Sequence, residues 1–507
     1  MRKPARLMAL LLIAALPLTG CVPNQRSGEA SAEIPLPEPA PEEENMILGE
    51  YLPSRLSSVS LYYAMSDGAT FSQVSTAVRA ASGESLPEAT VNALLSATGG
   101  GNAMYFSTGD TRMLSCEYAC GIATVNLSID ARNVQSEQEE LALLTAIGNT
   151  LLGIEGVRGV NVLIGGQSDS FGQLPHGVQT EVIPSVTAAY AQLLAERDHL
   201  VTDSPLPVTR WATLYFPTAD GNWLVPELRQ LVFNTDDFAG ALIEALKAGP
   251  AYESSAVASI PAVAELMEPN PKVQTLSTGE HALTLNFSSA LANYLAFSGL
   301  DVWELAGSLA LTACSFLPEI DAVRILVNGD PITGCTIGDT ILRFEGGLIR
   351  RSDFAGRVGS VATLYLANAR GGLQPVSRAV STRSALSPKS LLGELFYYAE
   401  RDGRSLRFPV PENVTAEDIL GIEVSGQIAR VNLSANFYRC CQSLDANAER
   451  SLIYCMVNTL CAMDGIHAVR FYVEGIAAET LAGSIYLKSP LMANPGIVVA
   501  PETSGEP

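Results

Sequence analysis

Nine cysteines and four histidines carry most of the reactive chemistry available to this 507-residue chain. The histidines are His176, His199, His281 and His467. None sits in a His-Glu-x-x-His zinc motif, and no Gly-x-Ser-x-Gly elbow accompanies them, so each reads as an ordinary exposed or half-buried side chain. Cys440, Cys441, Cys455 and Cys461 are the densest cysteine group. They lack the C-x2-C spacing of a zinc site, and adjacent cysteines rarely ligate one ion together. Neither a metal nor a cofactor is expected. With Cys21 set apart, the other eight fall two, two and four into three successive segments, which suits disulfides inside each segment. Cys116 and Cys120 are expected to bridge across a short turn at Glu117-Tyr118-Ala119, since cross-strand neighbours approach closely. Cys314 and Cys335 are the natural pair of the second segment, and the pairing of the last four stays open.

Other recurring polar residues read as architecture. Catalytic carboxylates work as a pair in one site. Here Asp67-Gly68 and Asp220-Gly221 supply one acid each, and Arg370-Gly371 replaces them in the third segment, so turn chemistry explains all three. Asn126, Asn286 and Asn432 each head an Asn-Leu/Phe-Ser triplet, and such residues after a strand cap or turn the backbone. Gly99-Gly100-Gly101 lacks the Lys-Ser/Thr of a phosphate loop.

The elements that hold these residues are clearest between 208 and 330. Val208 to Phe216 reads as a strand, rich in β-branched and aromatic residues. Phe238, Leu242, Ala245 and Leu246 follow at helical spacing behind Asp237, and Gly249-Pro250 stops them. Val273 to Leu276 and Ala282 to Phe287 flank a hairpin turn at Thr278-Gly279. Val302 to Phe316 is a second helix with Asp301 as its cap, and Ala322 to Val327 a last strand before Asn328-Gly329. The order β-α-β-β-α-β recurs on either side. Before it lie the strand Ser57 to Tyr63, a helix with Val91 and Leu94, a hairpin ending at Leu127, a helix with a Ser136/Glu139 capping box, and the strand Val160 to Ile164. After it lie Val361 to Leu366, a helix behind Ser387-Pro388, a hairpin over Ile419 to Leu433, a helix with Leu452 and Met456, and Val469 to Val473. Three copies of one unit are therefore predicted.

The N-terminus reads as an export signal. Arg2, Lys3 and Arg6 precede the short apolar run Leu7 to Leu18, and Leu18-Thr19-Gly20-Cys21 has the form of a lipobox. Cleavage there leaves Cys21 diacylated. Val22 to Met46 is rich in proline and glutamate and cannot bury a core, so a disordered tether is expected. An extended tether of about 25 residues reaches roughly 80 Å. The expected division is 1–21 signal, 22–50 tether, 51–180 first unit, 181–205 linker helix, 206–346 second unit, 347–357 linker, 358–492 third unit and 493–507 tail. A formal net charge of −22 repels phosphate backbones, so nucleic acid is not an expected partner.

The central unit, with Leu214-Tyr215-Phe216, Leu224-Val225-Pro226-Glu227 and Arg229, Leu246 to Pro250, Leu285 to Ser288 and Val323 to Gly329, resembles the GerMN domain of bacterial sporulation and germination lipoproteins. The resemblance implies an α+β fold of three tandem βαββαβ units, each a small sheet backed by two helices. It also implies a non-enzymatic lipoprotein, lipid-anchored on the outer face of the cell membrane, that binds envelope proteins during sporulation or spore germination. Two alternatives remain, a peptidoglycan-binding module and a cell-wall hydrolase. The candidate contact surface is Trp223, Pro226, Glu227 and Arg229, which read equally well as a loop packed on the first helix of that unit.

Overall fold

The computed structural model describes residues 47–500 apart from 52–54, 66–68, 82, 97–110, 135, 172–173, 201–206, 234–236, 252–255, 261–263, 269–270, 272 and 401–403. The signal sequence, Cys21, the tether up to residue 46, Asp67-Gly68, Gly99-Gly100-Gly101 and the last residues of the tail lie outside the described residues.

The chain folds as three α+β units, and each opens on a hairpin whose second strand was not expected. In the second unit Val208–Pro217 pairs antiparallel with Leu224–Phe233 to make an opening hairpin. The helix Phe238–Lys247 follows, with the Asp237 side chain accepting from the Gly240 amide at its start. Val273–Thr275 then lies antiparallel to His281–Phe287. The helix Val302–Phe316, opened by an Asp301/Glu304 capping box, crosses to Ala322–Val327, which runs parallel to His281–Phe287. The first unit repeats this with Arg55–Ala64 and Phe71–Ala80, Leu86–Ser96, Met113–Ala119 and Ile122–Leu127, Glu137–Leu152, and Gly159–Ile164. The third does so with Gly359–Ala367 and Leu373–Ser381, Pro388–Leu395, Ile419–Ser425 and Ile428–Leu433, Ala446–Cys461, and Ala468–Val473.

The missed strand was hidden by a proline, which normally argues against a strand. Pro226 stands opposite Tyr215 in the register. The Tyr215 amide donates to Thr312 Oγ1 (3.0 Å) and its carbonyl accepts from Ser308 Oγ (2.6 Å). Both backbone groups therefore point out of the hairpin, this pair exchanges no ladder bonds, and the proline deprives the partner strand of nothing. Pro375 stands opposite Tyr365 in the same way.

Each crossover helix packs on the opening hairpin and on the sheet. This explains why Val302–Phe316 has no polar face, since every residue from Trp303 to Phe316 is buried. The core of the second unit also takes in Ala119 and Leu174 from the first unit and Ala379 from the third. Asn161 Nδ2 donates to Ser315 O at 2.9 Å, and the Val178 amide to Trp211 O at 2.8 Å. Leu224 and Val358 form a bridge toward the third unit. The linker helix Val186–Leu200 packs on Glu137–Leu152 through Leu141, Val186 and Tyr190.

The folded part begins before residue 50, where the tether was expected to end. Gly49–Tyr51 joins the sheet of the third unit, parallel to Gly421–Glu423. Gly421 admits it, because a Cβ there would stand 2.6 Å from the carbonyl oxygens of Ile47 and Gly49. Asn432 Nδ2 donates to Ile47 O (2.9 Å), and Glu50 accepts from the Lys389 amide (3.0 Å) and from Ser387 Oγ (2.9 Å).

Candidate functional site

Two polar contacts recur in every unit. The side-chain oxygens of Asn126, Asn286 and Asn432 accept from the amides of Gly166, Gly329 and Gly475 at 2.8, 3.0 and 2.8 Å. Those glycines close two-residue turns after the last long strand. Both turn residues have positive φ, at Gly165-Gly166, Asn328-Gly329 and Glu474-Gly475. That is the geometry of the primed hairpin turns. The asparagine of the triplet is thus a turn clamp, as its position after a strand suggested. The second contact had no sequence signal. Thr150, Thr312 and Thr459, buried on the three crossover helices, accept from the amides of Tyr62, Tyr215 and Tyr365 at 2.9, 3.0 and 3.0 Å. A single threonine on an apolar helix leaves no periodic mark, and only the superposed repeats expose it.

The candidate contact residues prove to be internal. Pro226 and Glu227 are buried and Trp223 and Arg229 half-buried. Arg229 is ion-paired to Glu227 and donates to Gly249 O (3.0 Å), and Glu227 Oε2 accepts from the Ala251 amide (2.9 Å). The group staples the opening hairpin to the end of the first helix of that unit. Trp223 packs against Gly359, where a Cβ would meet its own Cβ at 2.7 Å. The expectation of a contact surface at these four residues is corrected. A large apolar side chain that does face solvent is Phe297, 89% exposed on the added helix Ser289–Ser298.

Cys116, Cys120, Cys314, Cys335, Cys440, Cys441, Cys455 and Cys461 are thiols in this structure. The register overturns the bridge drawn between Cys116 and Cys120. Glu117, Tyr118 and Ala119 are strand residues, Cys116 faces Val125, and the turn is Cys120-Gly121. Four residue steps along the chain separate the two cysteines by roughly 13 Å, against a reach of about 7 Å for a disulfide. Cys314 and Cys335 share the core of the second unit, where burial pushes their thiols up to about 12 and about 11. Cys441 and Cys455 are buried in the third unit, and Cys440 lies beside Asn436. No group of three or more histidine, cysteine or acidic side chains among the described residues could hold a metal ion.

Two clusters of charge stand out. Arg351 donates to Glu117 Oε1 (3.2 Å), to the Tyr215 hydroxyl (3.3 Å) and to Ser315 Oγ (2.7 Å), so one guanidinium joins the first unit to the second. Burial pushes the Tyr215 phenol up to about 12, against the opposing pull of Arg351. The other cluster is a carboxyl pair. Glu140 lies against Asp169, and burial, then Asp169, push it up to about 7, with Arg132 opposing. Glu140 and Glu449 both stand ten residues before the recurring contacts made by Thr150 and Thr459. In the third unit that carboxylate instead accepts three backbone amides, from Leu481 (3.0 Å), Ala482 (2.6 Å) and Ser484 (2.7 Å).

His176 is packed edge-on to Phe171 (5.3 Å), and burial, then Arg210, lower its pKa to about 4. No described helix is long and apolar enough to cross a membrane.

Comparison with known proteins places these features in a family. Its sequence profile, described as "Germane: Sporulation and spore germination", matches residues 60–170, 213–333 and 363–479. Among solved structures, the tandem GerMN domains of the sporulation protein GerM from Bacillus subtilis share 17% identity, over 57% of this chain and 98% of that one, with a TM-score of 0.23. A putative lipoprotein from Clostridium perfringens shares 15% identity, over 26% of this chain and 87% of that one, with a TM-score of 0.19. The first GerMN domain of the Bacillus subtilis protein alone shares 20%, over 28% of this chain and 98% of its own, with a TM-score of 0.21. No curated protein matches the chain. The three profile matches coincide with the three units built around the Asn–Gly and Thr–Tyr contacts, and the chain belongs to the Germane family of sporulation and spore germination.

Proposed function

We propose that this protein is an extracytoplasmic lipoprotein, anchored through Cys21, that works without catalytic turnover by holding protein partners in the envelope of a sporulating or germinating cell. The observation that supports this most is how the recurring polar side chains are spent. Asn126, Asn286 and Asn432 clamp turns, and Thr150, Thr312 and Thr459 hold opening strands. What the units have in common is a way of folding, and no acid, base or nucleophile recurs among these contacts. The lipobox and the acidic, proline-rich stretch after it suit a folded body carried at a distance from a membrane surface. The test is purification of the tagged protein from sporulating cells after crosslinking, beside the variants Cys21→Ala and Phe297→Glu. The reading expects an envelope protein to co-purify with the parent, and Cys21→Ala to leave the membrane fraction. A Cys21→Ala protein that stays membrane-bound and correctly processed sinks the anchor. Recovery of the parent alone, under crosslinking that captures a known envelope complex in the same cells, sinks the partner role.

A further inference from the structure

The first and third units face each other across a cavity of about 930 Å³. Its walls are built from equivalent positions of the two units. Ser57 and Ser360 each stand five residues before the tyrosine whose amide the recurring threonine holds. Glu155 and Asp464 each stand five residues after that threonine. The tips of the two equivalent hairpins, Cys120-Gly121 and Gln427, also line it. At the contact itself the Cys120 amide donates to Ser360 Oγ at 3.3 Å. The cavity is thus a cleft whose two sides use equivalent positions of the first and third units.

The lining carries a definite chemistry. Serine and threonine residues, Gln427, His467 and the two acids Glu155 and Asp464 line the space, and no lysine or arginine is among the described lining residues. Glu155 and Asp464 are exposed, so their oxygens are available to a ligand. Tyr118 adds one aromatic face. Its hydroxyl is pushed up by burial and then by Asp464, with Arg158 opposing. Arg158 at the edge of the site donates to Cys120 O, and with Glu155 and Asp464 in the lining the site is net negative, which disfavours phosphates and carboxylates. A site of paired hydroxyls, an amide, carboxylate acceptors and one ring suits a neutral polyhydroxylated chain, whose hydroxyls donate to carboxylates and whose ring faces stack on an aromatic. The volume lies within the usual range of ligand sites, about 300–1,000 Å³.

We propose that this cleft between the first and third units binds a neutral glycan segment a few sugars long. The proposal is independent of the protein-partner reading, and either can fail alone.

The test is titration of the purified region 47–507 with chitotetraose, by calorimetry and by tyrosine fluorescence, beside Glu155→Ala and Asp464→Ala. Both residues are exposed, so the variants keep the fold, and circular dichroism verifies this. The expectation is saturable binding to the parent protein, weakened about tenfold or more by either variant, in line with loss of a hydrogen bond to a charged group. No saturable binding at millimolar chitotetraose overturns the proposal. So does binding that both carboxylate variants leave unchanged, or binding of spermidine but not of the tetrasaccharide, which marks a cation site.

Discussion

The Asn432 side chain joins the closing turn of the third unit to a segment near the other end of the sequence. Its oxygen takes the Gly475 amide at 2.8 Å, and its nitrogen donates to Ile47 O at 2.9 Å. One buried amide thus fixes the closing turn and the strand that enters from the N-terminal side. Asn432→Ala leaves a buried amide and a carbonyl without their partners, at about 2–3 kcal/mol. Asn286 clamps its turn at a half-exposed position, where water can replace it, and Asn286→Ala should cost about 1 kcal/mol. Urea unfolding of the two variants checks the order. An Asn286→Ala loss equal to or larger than that of Asn432→Ala contradicts the assignment.

Thr459→Val preserves shape and removes the acceptor for the Tyr365 amide. The expected loss is about 1–2 kcal/mol, with faster hydrogen exchange at the Tyr365 amide. Unchanged exchange there would mean that the hydroxyl is not what holds the opening strand.

Gly421 is the position that lets Gly49–Tyr51 enter the sheet. The first unit has Ser115 there, opposite Asn126 as Gly421 is opposite Asn432. Gly421→Val should expel the strand, seen as rapid exchange at the amides of 49–51 and as proteolytic release of the N-terminal stretch, while the rest of the third unit stays protected. Protection of 49–51 in the variant contradicts the close approach.

How much of this was legible in the sequence depends on the element. Val302–Phe316 and Ala322–Val327 were readable to the residue, because Asp301 caps the one and Asn328-Gly329 stops the other. Leu224–Phe233 was not, because a proline disqualifies a strand unless its missing amide faces away from its neighbour, and only the register tells that. The turn at Cys120-Gly121 was placed three residues early for a related reason: Cys120 adopts a positive φ of 51°, which sequence statistics reserve for glycine and asparagine. The contact surface was misplaced because exposed and stapled arginines look alike until Glu227 and Gly249 are seen beside Arg229. The carboxyl pair was out of reach, since Glu140 and Asp169 come from a helix and from a segment after the last strand.

That pair gives the protein a pH dependence with a definite sign. The Glu140 carboxyl moves from 4.5 up to about 7 on folding, so the folded chain holds a proton that the unfolded chain has released. The stability it contributes is fully present below about 4.5 and is lost as the pH rises through about 7. Glu140→Gln keeps the neutral form at every pH. Its melting temperature should fall less than that of the parent between pH 5 and pH 8, and should exceed the parent's at pH 8. Parallel pH profiles contradict the shared proton.

Arg351 makes a prediction about the joint between units. Arg351→Met removes the guanidinium that Glu117, Tyr215 and Ser315 share, and strands the Glu117 carboxylate in a largely buried place. A loss of about 3 kcal/mol is expected. A double variant with Glu117→Gln should recover part of it, because no unpaired charge remains. Equal losses in the single and the double variant contradict a charge-based joint.

The account's central claim is that the units hold partners and turn nothing over. The most direct test is to incubate purified 47–507 with peptidoglycan sacculi and follow release of soluble muropeptides. The account predicts release no greater than from a heat-inactivated control, at any pH from 5 to 8. Release above that control, abolished by Glu140→Gln or Asp169→Asn while the protein stays folded, would contradict it.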